Sequence, residues 1–255
     1  MRIDLGAFLK AFTPLAALTM TAALSGCDST VTVDGVEGKK LSELDMSGAA
    51  PTKLVVAGPD NVRVTEGTAL AITVDGDKAV AENLRFTLKD GTLGIMRSKS
   101  WHGGGNVTVN VTMPAPEAIT LAGSGTVEAA ALGKGATVTV AGSGDVKAGT
   151  ISGESLTLTV AGSGSMQGGG AVTNLEMTIA GTGSADLAAL RADHAKVTIA
   201  GSGSATMTSD GDVSATILGS GSVTVKGRAT CKVSALGSGK LVCESGPAQQ
   251  EDPAK

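Results

Sequence analysis

From residue 118 onward, apolar and polar residues alternate in short runs, and every run ends in the same corner. Val138-Thr139-Val140, Leu158-Thr159-Val160, Met177-Thr178-Ile179, Val197-Thr198-Ile199 and Ala215-Thr216-Ile217 each lead into Gly-Ser-Gly or Gly-Thr-Gly. Period two in β-branched residues predicts strands rather than helices. The first glycine of the corner falls at 123, 142, 162, 181, 201, 219 and 237, in steps of 19, 20, 19, 20, 18 and 18 residues. A repeat of this length predicts a solenoid in which each copy is one coil. With that glycine as position zero, the −4 column reads Ile119, Val138, Leu158, Met177, Val197, Ala215, Val233. The −2 column reads Leu121, Val140, Val160, Ile179, Ile199, Ile217, Ala235. Together with +4 and +6 (Val127/Ala129, Val146/Ala148, Ala185/Leu187, Val223/Val225), these side chains are expected to share one interior. The −3 column of threonines, ending in Ser234, is expected to face water. Coils stacked in parallel at about 4.8 Å make seven copies a rod of roughly 30 Å. The fold class is therefore all-β, a single-stranded parallel β-helix with ~19-residue coils.

Residues 50–117 carry a worn form of the same pattern. Leu54 to Val64 match the later register, with Val62 and Val64 at +4 and +6. Strand-like runs follow at 69–74, 84–88, 92–96 and 107–113, and Asp90-Gly91 marks a turn. Bulkier, diverged coils suit an end that must be protected against edge-to-edge aggregation, and Phe86 fits such a cap. Residues 118–246 hold the regular repeats, and 247–255 form a polar tail.

Composition narrows the picture further. The chain has 37 glycines in 255 residues and only four aromatic residues, three Phe and one Trp. Phe8 and Phe12 lie in a segment expected to be removed, which leaves Phe86 and Trp101; a narrow coil has no room for more rings. A hydrophobic fraction of 42% excludes a disordered linker, and glycines that are not at every third residue exclude collagen. The net charge of −4 comes without any basic run, so nucleic acid is not an expected partner.

The N-terminus reads as an address. A short charged region and the apolar stretch Ala11–Ala23, too short to span a membrane comfortably, end at Leu24-Ser25-Gly26-Cys27, which looks like a bacterial lipobox. Residues 1–26 are then a lipoprotein signal peptide, and Cys27 is the lipidation site and membrane anchor. Residues 27–49 form a flexible tether. The competing reading is an ordinary secretory signal with an incidental cysteine. Acyl chains at ~0.8 kcal/mol per buried methylene would make the anchoring permanent. The expected location is the bacterial cell envelope, facing the periplasm or the cell surface. Asp28 resembles an inner-membrane retention signal, but which membrane carries the anchor stays open.

The first Val-x-Gly-x-x-x-Val-x-Val coil at 56–64, Asp90-Gly91-Thr92-Leu93-Gly94-Ile95, Val107 to Pro114 and the serial Gly-Ser-Gly turns resemble a known family. It is the auto-transporter adhesin head GIN domain of bacterial envelope proteins, and the resemblance covers about residues 50 to 243. It implies a right-handed β-helix, a place outside the cytoplasm and an adhesin role. The aspartate that follows the turn in that family stands here only as Asp145, so no acidic ladder is carried over.

Candidate chemistry is sparse. The +1 hydroxyls (Ser124, Ser143, Ser163, Thr182, Ser202, Ser220, Ser238) form a regular column that could meet a carbohydrate, although small polar residues suit turns in any case. Trp101 and His102 sit in an irregular Gly-rich loop, where a ring can stack on a ligand or tuck against the cap. His102 and His194 have no second ligand at metal spacing, so no metal or cofactor is expected. Cys231 and Cys243, at −6 and +6, read equally as two buried thiols or one disulfide. No nucleophile–base–acid set emerges, and Gly-Ser-Gly is not a nucleophile elbow. The reading is a non-catalytic, membrane-anchored binding module for a surface polysaccharide or protein. The alternative is a structural or self-associating envelope spacer; a polysaccharide-active enzyme is the remote third.

Overall fold

The computed structural model describes residues 32–33, 36–98 and 103–245. Alternation sets the strands and glycine sets where they bend. A short antiparallel pair, β1 (Thr32–Val33) and β2 (Val36–Glu37), leads to a 3-10 turn at Leu41–Glu43. Then come β3 (Lys53–Gly58), β4 (Asn61–Glu66), β5 (Ala71–Asp75), a one-turn helix α1 (Lys78–Ala81), β6 (Leu84–Lys89), β7 (Thr92–Arg97) and β8 (Thr108–Met113). The regular part runs through β9 (Ala118–Gly123), β10 (Thr126–Leu132), β11 (Ala136–Gly142), β12 (Asp145–Gly162), β13 (Ser165–Gly181), β14 (Ser184–Gly201) and β15 (Ser204–Gly219). It ends with β16 (Ser222–Gly227), β17 (Thr230–Gly237) and β18 (Lys240–Ser245).

These strands make a parallel β-solenoid of about 7 turns with ~19-residue coils. One wall holds the strands that enter the glycine corner and the other holds those that leave it. On the entering wall, Leu121, Val140, Val160, Ile179, Ile199, Ile217 and Ala235 stand in one column, each paired with the next. On the leaving wall, Val62, Val127, Val146, Met166, Ala185, Ala205, Val223 and Leu241 do the same. From Ile119 to Ile217 the −4 and −2 columns are buried throughout. Full burial of each such side chain is worth about 1.5–3 kcal/mol, so the interior is a continuous source of stability. The −3 threonines face outward but are half-buried, because each is shielded by its neighbours in the stack.

The corner explains the glycines. Gly142 has φ +125°, and a Cβ there would lie 2.5 Å from the carbonyl oxygen of Gly123. That oxygen also accepts from the N–H groups of Ser143 and Gly144, both at 3.0 Å. Each corner therefore excludes a side chain because the corner below projects its accepting carbonyl into the same space. Variation in repeat length is absorbed elsewhere. The pairing slips between Ala148 and Thr150, between Gln167 and Gly169, and between Leu187 and Arg191, all on the side away from the corner.

The N-terminal third departs from a simple run of worn coils. The strand-like runs are present, but their order in space is not their order in sequence. The β3–β4 coil lies between two others: β9 and β10 flank it on one side, β7 and β8 on the other. The chain thus builds its second coil first and goes back to lay the coil beneath it. Then Pro114-Ala115-Pro116 carry it past β3–β4 to β9. Beyond β7 and β8, the outermost strands β6 and β5 run antiparallel to them. Phe86 on β6 is fully buried in this cap. Helix α1 is capped by Asp77, whose Oδ1 accepts from Ala79 N at 2.8 Å and Val80 N at 3.2 Å. Residues 39–44, expected to lie in the tether, are in contact with the solenoid. Lys39 and Phe86 exchange backbone hydrogen bonds at 2.9 and 2.7 Å, and Leu41 and Leu44 pack on the core.

Candidate functional site: the outer faces of the solenoid

The interior is filled, so any ligand must meet the outside. The corner places one hydroxyl per coil. Backbone N–H groups of Ser143, Ser163, Thr182, Ser202 and Ser220 bond to glycine carbonyls of the preceding coil at 2.9–3.0 Å. This fixes each residue in register and turns its side chain outward. All seven +1 residues, from Ser124 to Ser238, are exposed. Ser163 Oγ and Thr182 Oγ1 lie 3.0 Å apart, within hydrogen-bond reach of each other. On the leaving wall, the Ser165 hydroxyl donates to Asp145, the single aspartate that follows a turn.

Charged side chains line two shallow grooves. In one, of about 690 Å³, Glu128 lies between Arg63 (Nε–Oε2 3.2 Å) and Lys147 (Nζ–Oε1 3.4 Å), beside a small-residue floor that includes Gly149 and Gly168. The hydrogen bond from Arg63, helped by Lys147 and opposed by slight burial, holds the Glu128 carboxyl below its usual pKa. The other, of about 660 Å³, lies on the entering wall. There Lys196 Nζ meets Glu176 Oε1 at 3.1 Å, and His194 Nδ1 stands 3.9 Å from Asp212 Oδ2. Outside both grooves, Asp210 meets Arg191 and accepts from the backbone N–H of Arg228 at 2.9 Å. That backbone hydrogen bond is the main cause of its lowered pKa, and both arginines add to it.

One pairing was not read from the sequence. Asp60 is 2% exposed, and Arg97 donates to both its carboxylate oxygens, Nε to Oδ2 at 2.7 Å and Nη2 to Oδ1 at 2.5 Å. Val107 N also donates to Oδ1 at 3.0 Å, and Arg97 Nη2 to the carbonyl of Gly105 at 2.9 Å. The hydrogen bonds from Arg97 to Asp60 push the Arg97 pKa above its usual value. This charge-assisted, bidentate contact ties the first corner to both ends of the loop between β7 and β8. Trp101 and His102, the loop residues singled out from the sequence, lie outside the described residues. So does Cys27.

Cys231 and Cys243 are joined by a disulfide, with Cα atoms 6.7 Å apart. They are not the deeply buried thiols of the alternative: Cys231 is half-buried and Cys243 exposed. Among the described residues, no group of three His, Cys, Asp or Glu side chains is arranged to hold a metal ion. Nor is any described helix long and apolar enough to cross a membrane.

The fold and sequence have clear counterparts. Residues 50–229 match the family model described as "Putative auto-transporter adhesin, head GIN domain". A "putative adhesin" from Bacteroides fragilis superposes with TM-score 0.68 at 21% identity, over 76% of this chain and 93% of that one. A "putative lipid binding protein" from Parabacteroides distasonis gives TM-score 0.60 at 20% identity, over 77% and 93%. A "putative adhesin" from Parabacteroides merdae gives 0.56 at 15%, over 76% and 92%. No curated protein matches the chain.

Proposed function

The chain belongs to the family of auto-transporter adhesin head GIN domains, and from that premise we propose that it is a non-catalytic binding module of the bacterial envelope. Cys27 is its lipid anchor and the solenoid its projecting head. The observation that carries the reading is the exposed column of hydroxyls at Ser124, Ser143, Ser163, Thr182, Ser202, Ser220 and Ser238. One hydroxyl per coil gives a spacing of about 4.8 Å. A partner with its own repeat, such as an extended surface polysaccharide, can use several of these weak contacts at once. The two charged grooves on the adjoining walls supply acidic, basic and amide groups for orientation.

A glycan array probed with the chain from residue 36 onward, which keeps the segment docked on β6, is the direct test. Binding to a repeating glycan, weakened when Ser163 and Thr182 are replaced by Ala, supports the reading. Binding unaffected by those changes moves the site off the column. The anchor is tested by Cys27→Ser, which should move the protein from the membrane fraction to the soluble one.

A further inference from the structure

We propose that two copies of this chain join end to end through β18, its strands antiparallel across a twofold axis at Val242. The inference does not depend on what the side walls bind. Apart from Met46, the exposed large hydrophobic residues of the described structure are all in the last coil: Val233 at 54%, Leu236 at 67% and Val242 at 47%. Val233 belongs to the −4 column, which is buried in every earlier coil. β18 pairs with β16 on one side only, so its other edge has unpaired backbone groups. Such an edge is a template for another strand.

What covers it is constrained. The ten residues after β18, GPAQQEDPAK, contain no Val, Leu, Ile, Met or aromatic residue, and their two prolines lack N–H donors. They are poorly suited to complete the apolar layer. The outer strands of the opposite end, β5 and β6, expose no large hydrophobic residue, so that end offers no matching apolar edge. The same end of a second copy offers both an open strand edge and an apolar patch, and a contact between identical patches closes as a dimer.

The pairing register follows from hydrogen bonding and charge. Lys240 N donates to Gly221 O at 3.0 Å, so the even-numbered residues of β18 turn their backbone groups toward β16. Leu241 and Cys243 therefore turn theirs to the open edge. An antiparallel pair centred on Val242 sets Leu241 opposite Cys243 of the second copy as a hydrogen-bonded pair. Val242 then faces its own counterpart at the close, non-hydrogen-bonded spacing, and Lys240 faces Glu244. Apolar meets apolar and each charge meets its opposite, twice over. The disulfide from Cys243 to Cys231 on β17 holds the edge strand in place. One coil's end face is small against the ~800 Å² per partner of a stable complex, so the dimer is weak, with Kd on the order of 10–100 μM.

The test uses the full chain in detergent. Sedimentation should show a reversible dimer. Lys240→Glu and Glu244→Lys should each raise Kd roughly threefold to tenfold, and the double charge swap should restore it. Glu244 also stands in register with Lys226 of its own chain, so recovery in the double variant is the decisive reading. Val242→Cys should trap a reducible dimer, whereas Thr224→Cys, its neighbour one coil deeper, should not. Monomer at every concentration up to about ten times that Kd, equal trapping by both cysteines, failure of the swap to restore dimer, or open-ended fibres would each overturn the proposal. Circular dichroism of the variants checks that the fold is kept.

Discussion

At the N-terminal end, β5, β6, α1 and the segment around Lys39 lie over the first coil, and Phe86 beneath them is 1% exposed. At the C-terminal end, β17 and β18 are the outermost strands of their walls, and Val233 is 54% exposed. Both ends descend from one coil pattern. At one, the chain reverses direction and spends its bulkiest side chains on a lid; at the other, it leaves the interior columns open. Stability should therefore be graded along the rod, highest in the interior and at the capped end, and lowest in the last coil.

The largest break comes from the interior that both ends share. Ile179→Asp places a carboxylate where no partner can reach it and should abolish cooperative folding, while Thr178→Asp beside it is tolerated; urea melts of the pair check this. At the capped end, Phe86→Ala should cost about 3–5 kcal/mol, whereas Val233→Ala at the open end costs less than about 1 kcal/mol, read from denaturant midpoints. Equal losses would mean the two ends are not distinct. Cys243→Ser removes a link of sequence separation 12 and should ease opening of the last coil by about 2–3 kcal/mol. Hydrogen exchange should speed up in β17 and β18 and stay unchanged in β6 and β7.

The smallest effect is one of pH. Glu128 has a pKa lowered in the folded chain, so its contribution is complete above the usual value of 4.5 and is lost as pH falls through the lowered folded value. Glu128→Gln should remove a few tenths of a kcal/mol at neutral pH and nothing in strong acid.

The regular coils were legible because two periods coincide: alternation says which residues face inward, and the glycine spacing says which of them stack. Neither period carries direction. The run at 84–88 alternates like any other, yet it lies antiparallel to its neighbour, and nothing local distinguishes it. The insertion of β3–β4 between two later coils is hidden for a related reason, since sequence order does not reveal spatial order. Asp60 was visible only as a corner residue. Its burial depends on Arg97, 37 residues away, and such a pair leaves no periodic trace. For the cysteines, packed sheets usually stand about 10 Å apart, too far for a bridge, but at positions −6 and +6 the walls converge to a Cα distance of 6.7 Å.

Because each corner carbonyl occupies the place of the next corner's missing Cβ, a lone substitution at one turn disturbs the turn above it. Removing or copying a complete segment such as 162–180 leaves glycine resting on glycine and every ladder restored. A rod built this way changes length in whole steps of about 4.8 Å. Duplication of a short stretch of gene is then its natural route to a longer rod.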